Sequence, residues 1–247
     1  MKKDWLIILI LAGIIIIGYM WFAYANVYNR ISAGGLNIVD NQYIYDINQM
    51  GTQKIKYAAL GDSLTAGVGA SSYENSYPYL LAKDMAKNNN EVILQDYSLL
   101  GARAEDVIGN LLDPVISGKP DIVTVLIGVN DVRERTGEDD FKNKYEYIVD
   151  SLLKQTNANV YLISLPFIGS STVYLPPYDA YFRQRTIVFN KIIKEIAREK
   201  NLKYIDIATP TENIFKKDGP HYSVDSFHPS DEGYKILTQE IYGNVDY

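Results

Sequence analysis

The chain has 247 residues, enough for one sizeable domain with a single core and an appendage. Acidic residues outnumber basic ones by 30 to 24, the formal charge is -6 and the pI is about 5.0, which argues against a nucleic-acid partner. There is no cysteine, so a disulfide framework, a thiolate nucleophile and a cysteine-based metal site are excluded.

Lys2 and Lys3 precede a run from Trp5 to Ala25 without a charged residue. As a helix this run is about 30 Å long, the thickness of a bilayer core. Trp5 at one end and Trp21 with Tyr24 at the other fit interfacial anchors, and the basic start keeps the N-terminus inside. Residues 1–25 therefore read as a signal anchor with the rest of the chain outside the cytoplasm. Ala23-Tyr24-Ala25 also has the small-x-small pattern of a cleaved signal peptide, which would leave a secreted protein. The apolar run exceeds a usual signal core, so the anchor is the preferred reading. Residues 26–53 hold Ser32, Gly34, Gly35, Asn37, Asn41, Asn48 and Gly51, and read as a stalk or linker.

From residue 54 to 247 the pattern is that of a folded domain. Short apolar runs predict strands at 55–60, 91–97, 121–127, 159–165 and 202–207. Helical spacing predicts helices over 77–87, 104–112, 139–155, 180–200 and 230–242. Between 191 and 200 the basic residues interleave with Glu195 and Glu199, the pattern of a solvated helix face. Continuous apolar strands alternating with helices imply a parallel sheet covered on both faces, with ligands beyond the carboxyl ends of the strands.

The segments just past those strands carry the chemistry. Gly61-Asp62-Ser63-Leu64 comes after the first strand, and Ser98-Leu99-Leu100-Gly101 after the second. Gly128-Val129-Asn130-Asp131 comes after the third, and Asp225-Ser226-Phe227-His228 lies beyond the fifth. A serine needs a base to take its proton, a histidine serves near neutral pH, and a carboxylate fixes its tautomer. The developing oxyanion needs donors already in place, which a glycine N–H and an asparagine amide supply. Alone, Ser63 fits a helix cap and Asn130 a turn. Asp218-Gly219-Pro220-His221 repeats the D-x-x-H spacing, so spacing does not choose between His221 and His228.

Together, and in this order, the four blocks resemble those of SGNH/GDSL hydrolases, over roughly residues 55–245, nearest to small bacterial acylhydrolases of the lysophospholipase and thioesterase kind. The resemblance implies an α/β fold, a three-layer α/β/α flavodoxin-like domain, here with a five-stranded parallel sheet. It implies Ser63 as nucleophile and Asp225 and His228 as the rest of a triad. The oxyanion hole would be the Ser63 N–H, the Gly101 N–H and the Asn130 amide. No metal or organic cofactor is implied. One departure is Asp96-Tyr97-Ser98 where the family's second block usually opens on Asn. His228 stands just before the last predicted helix, the family's position for the base, whereas His221 reads as a rim residue in a Gly-Pro turn. Asp62 and Asp131 read as structural, and Arg103 as half of a surface ion pair.

Residues 166–182 form a long connection, and such loops are often functional. Its Tyr174, Leu175, Tyr178 and Phe182 are candidates for an acyl pocket, with packing of the loop itself as the alternative. The expected substrate is an ester, a lipid or an acylated glycan. The alternatives are an acyltransferase with the same triad and a non-catalytic envelope module.

Overall fold

The computed structural model describes residues 2–33, 44–87, 90–167, 169–170 and 172–246. The N-terminal helix α1 (Lys2–Ala33) is apolar around its circumference up to about residue 23, and its apolar side chains lie exposed rather than packed in a core. Over Asp4–Val27 it is long and apolar enough to cross a membrane. Of the segment read as a linker, the described part is not all loop. It holds the last turns of α1 and the strand β1 (Ile44–Ile47), and residues 34–43 lie outside the described residues.

The domain is an α/β structure around one sheet of six strands in the order β1-β3-β2-β4-β5-β6. The strands are β2 (Gln53–Gly61), β3 (Asn90–Ser98), β4 (Ile122–Leu126), β5 (Asn159–Ile163) and β6 (Lys203–Ile205) after β1. The five predicted strands are all present and parallel. The sheet has a sixth because β1 adds antiparallel to the edge of β3, a correction to the expected count. β1 shows only the weak alternation of an edge strand, with Ile44 67% exposed, and its signal was lost among the neighbouring turn formers.

Helices α2 (Tyr77–Ala86) and α9 (Asp231–Ile241) pack together on one face. On the other lie α3 (Ala104–Asn110), α4 (Leu112–Gly118), α6 (Glu138–Gln155) and α7 (Tyr178–Glu199). The strand order runs from β2 outward to β3 and then back across β2 toward β6, and crossovers of the usual right hand in these two directions put helices on opposite faces. Two short helices, α5 (Val129–Arg133) and α8 (Ala208–Phe215), escaped the sequence reading because neither spans enough turns to show a period.

β4 is buried at every residue, as a central strand with both faces covered must be. Its single polar side chain, Thr124, bonds the buried Tyr57 hydroxyl of β2 at 2.8 Å, so neither group is left unsatisfied. The register aligns Gly61 with both Ser98 and Leu126. The carboxyl ends of β2, β3 and β4 therefore stop at one level. β2 is the strand where the order reverses, the crevice where open α/β sheets bind ligands.

Candidate active site

The chain leaves β2 at Gly61 into a tight helical turn. A Cβ at Gly61 would clash with the Leu126 carbonyl oxygen and the Thr65 side chain, so only glycine lets the turn start between the two neighbouring strands. Asp62, fully buried, holds the turn: its Oδ1 accepts the Leu64 N–H at 2.9 Å, and the Thr65 and Ala66 N–H groups bond its carbonyl. Burial pushes the Asp62 carboxyl up to about 7 despite that N–H donor. Ser63 is thereby presented at the sheet edge.

The histidine comes from the far end of the chain. Asp225 Oδ1 accepts three donors, the Ser223 hydroxyl at 2.7 Å and the Phe227 and His228 N–H groups at 2.9 Å each. Ser226 takes a left-handed φ of 58° inside that turn. With Oδ1 so occupied, Oδ2 is free to meet His228 Nδ1 at 2.6 Å, and His228 Nε2 lies 3.0 Å from Ser63 Oγ. Burial raises the Asp225 carboxyl, but the His228 hydrogen bond and charge, with the Ser223 and Phe227 donors, bring it down to about 2. The three groups form one hydrogen-bonded chain from carboxylate to hydroxyl.

Ser230 caps α9 immediately beyond, its hydroxyl accepting the Gly233 N–H. Gly69, with φ of 93°, lets the Ser63 turn press on the histidine loop: a Cβ there would meet the Pro229 carbonyl oxygen at 2.5 Å and the His228 Cβ at 2.9 Å. The Tyr234 hydroxyl of α9 donates to the Val68 carbonyl at 2.8 Å, a second tie between the two segments.

His221 is placed elsewhere. Its Nε2 lies 2.9 Å from the Lys217 carbonyl oxygen, and its ring packs on Phe215 and Tyr222. It is buried, not on the rim as expected: Gly219 and Pro220 stay exposed, while the His221 ring turns in against Phe215 of α8 and Tyr222. Arg103 pairs with Asp106 at 3.7 Å on the surface, as its sequence context suggested.

The other two blocks meet around Asn130. Gly128, with φ of 131°, turns the chain from β4 into α5, where a Cβ would strike Phe141. Asn130 is buried, and its Nδ2 donates to the Ala102 carbonyl at 3.0 Å and reaches Asp62 Oδ2 at 3.5 Å. Asp131 Oδ2 accepts the Ala104 N–H at 2.9 Å. Asn130 and Asp131 thus fasten the loop holding Gly101 (φ 75°) to the Ser63 turn. The Asp96 side chain stands where the family block usually has Asn. It is buried and raised to about 7 by desolvation, against the pull of the Ser98 and Tyr73 hydroxyls.

Beside these groups lies a cavity of about 420 Å³, within the range of small-molecule sites. Its walls include Val129, Val132, Pro166, Phe167, Tyr174, Phe182 and Phe215, with Asp179, Arg183, Glu212 and Lys216 among the polar groups. Ser63 and His228 do not line it. It adjoins them through Val129, next to Asn130, and through Tyr174, whose ring meets Phe227 at 6.2 Å. The Ser170 N–H bonds the Ser226 carbonyl, so the cavity loop and the histidine loop touch directly. Of the sequence candidates, Tyr174 and Phe182 line the cavity, whereas Tyr178 and Leu175 do not; Tyr178 packs on Phe182 from behind. Sequence reasoning missed Ser223, whose position two residues before Asp225 is a short-range turn signal, and Val129, Val132 and Phe215, which carry none.

Comparison with known proteins gives the family. The model of the GDSL-like lipase/acylhydrolase family matches residues 59–236. The chain belongs to that family, and it is a serine ester hydrolase. The spore germination lipase LipC of Bacillus licheniformis is 25% identical over 213 residues, covering 78% of this chain and 99% of that protein. The crystal structure of a lipase/acylhydrolase from Enterococcus faecalis superimposes with a TM-score of 0.62 at 24% identity, covering 76% of this chain and 93% of that one. The acetylxylan esterase Axe2 of Geobacillus stearothermophilus gives 0.62 at 20%, covering 81% and 97%. At these identities the structural likeness speaks for the fold.

Proposed function

We propose that the chain is a membrane-anchored esterase facing away from the cytoplasm, which cleaves carboxylic esters through an acyl-serine intermediate at Ser63. Residues 1–25 form the anchor, 26–43 connect it, and the hydrolase domain runs from β1 at residue 44 to 247 rather than from 54. The observation that carries the mechanism is the Asp225–His228–Ser63 hydrogen-bonded chain, with 2.6 Å and 3.0 Å links.

Asp225 holds His228 with a proton on Nδ1, which leaves Nε2 unprotonated toward Ser63. Ser63 Oγ attacks the ester carbonyl as its proton passes to Nε2. The oxyanion is met by the Ser63 N–H, the Gly101 N–H and the Asn130 amide, whose Nδ2 keeps the Ala102 carbonyl and exchanges its long 3.5 Å contact with Asp62 Oδ2 for the oxyanion. His228 then gives its proton to the leaving alcohol and later activates the water that opens the acyl-enzyme. These groups carry out every step without a cofactor. Tyr174 and Phe182 offer an apolar wall to the acyl part. The lipase and acetylxylan esterase relatives support an ester of a lipid or of an acylated glycan as substrate.

The test is hydrolysis of p-nitrophenyl esters from acetyl to palmitoyl by the full-length chain in detergent, beside Ser63→Ala. Activity that vanishes in the variant supports the proposal, and the chain-length optimum separates the lipid from the glycan substrate. Equal activity in both proteins refutes it.

A further inference from the structure

α1 does not simply tether the domain. Trp21 and Phe22 are exposed, but Ala23 and Val27 are fully buried against the domain. Asn26, between them, donates both Nδ2 hydrogens to the cavity loop, to the Thr172 carbonyl at 2.7 Å and the Val173 carbonyl at 3.0 Å. The Tyr24 ring lies 5.8 Å from that of Tyr178. From Trp21 to Asn26 the helix rises about 8 Å, comparable with the depth of a headgroup layer. The loop that supplies Tyr174 to the cavity is therefore fastened where the helix leaves the apolar phase.

A specific group of side chains surrounds that point. The Arg135 guanidinium sits 5.1 Å over the Tyr24 ring and 5.9 Å over that of Tyr181. Arg185 lies 5.9 Å from the same Tyr181 ring, and its N–H groups go to the Val132 and Thr136 carbonyls. Neither guanidinium pairs with a carboxylate among the described residues, while Arg133 and Arg183 beside them do. Arg135 and Tyr181 are exposed. Two cations thus stand on tyrosine faces without a carboxylate partner among the described residues, although Glu134 and the acidic first turn of α6, Glu138 to Asp140, are close to Arg135 in sequence. Tyrosine and arginine are the side chains that suit a membrane–water interface.

We propose that Tyr24, Arg135, Tyr181 and Arg185 bind anionic phospholipid headgroups and hold the cavity face against the bilayer, so that the enzyme draws its ester from the membrane. This rests on α1 being a retained anchor. Asn26 makes the attachment rigid, and the two arginines set the tilt.

The cysteine-free chain allows a direct test by single labelling. Gln184→Cys, exposed on α7 beside the patch, and Gln155→Cys, exposed at the end of α6 just before the amino end of β5, are each labelled with bimane in the full-length protein. The protein is placed in vesicles of phosphatidylcholine and phosphatidylglycerol containing a headgroup nitroxide. Quenching at position 184 is expected to exceed that at 155 by about threefold, because an interfacial face lies within headgroup reach. Arg135→Gln should narrow that difference and lower hydrolysis of a vesicle-borne fluorogenic phospholipid by about fivefold, as removal of one cation from an anionic surface predicts, and vesicles of phosphatidylcholine alone, which remove the partner of both arginines, should lower it further. Equal quenching at the two positions in an intact, membrane-bound chain overturns the inference and leaves the anchor and the esterase standing. A difference untouched by both Arg135→Gln and lipid charge overturns the headgroup contact. A chain whose mass shows loss of the first 25 residues overturns the anchor and this inference together.

Discussion

Replacing Asp225 by Asn tests the hydrogen-bonded chain at its least forgiving link. Three donors, from Ser223, Phe227 and His228, converge on Oδ1. An asparagine must therefore keep its oxygen there and turn its NH2 toward His228, since the reverse orientation would set donors against donors. The turn survives, but the NH2 now faces Nδ1, which becomes an acceptor. The imidazole proton moves to Nε2 and points at Ser63 Oγ, so the base is lost while the fold is kept. Loss of the correct tautomer in an equivalent triad costs about 10⁴-fold in kcat, or about 5 kcal/mol of barrier. The assay is steady-state hydrolysis of p-nitrophenyl acetate, with circular dichroism to establish that the variant is folded. Combining the change with Ser63→Ala should add little to either loss, because the groups act as a unit. A folded Asp225→Asn variant that keeps more than about a tenth of kcat refutes the tautomer argument and the triad with it.

Asn130→Ala should lower kcat by about 100-fold with little change in KM, since the amide serves the oxyanion rather than the bound ester; a loss below about threefold would sink that role. Asp62, raised to about 7, is protonated more readily in the folded than in the unfolded chain, so its contribution to stability falls as pH rises from the ordinary carboxylate value to about 7. The span of about three units corresponds to about 4 kcal/mol. Asp96 and Asp131 are raised by burial in the same direction, so Asp62→Asn should remove part, not all, of the decline in unfolding midpoint between pH 5 and pH 8; a variant that tracks the parent contradicts the assignment. Gly69→Ala should lower the thermal midpoint by about 5 °C and depress activity as well, because its Cβ meets the Pro229 carbonyl and His228; an alanine variant with full activity would show that the two loops need no close contact.

Much of this protein was written locally. Buried strands are continuous apolar runs, and the parallel sheet is a consequence of their alternation with helices. Ser63, Gly101 and Asn130 could be grouped because each comes just after such a strand, and parallel strands deliver their ends to one edge. The anchor-like start was equally legible, since a bilayer demands uncharged length and nothing else. The choice between the histidines was not. Asp218–His221 and Asp225–His228 share one spacing, and family resemblance alone favoured the second. The decision lies in long-range packing: Gly69 against Pro229, Tyr234 on Val68, and His221 taken inward under α8. β1 joined the sheet because β3 left an open edge, a condition no local pattern states. Tyr174 and Tyr178 looked alike in sequence, yet one faces the cavity and the other packs behind it toward α1. Local chemistry fixes which groups can react and which segments can be strands, because those properties belong to residues and their neighbours. Which groups meet is decided by the sheet's reversal at β2 and by contacts up to about 165 residues apart in the chain, which exist only once the chain has folded.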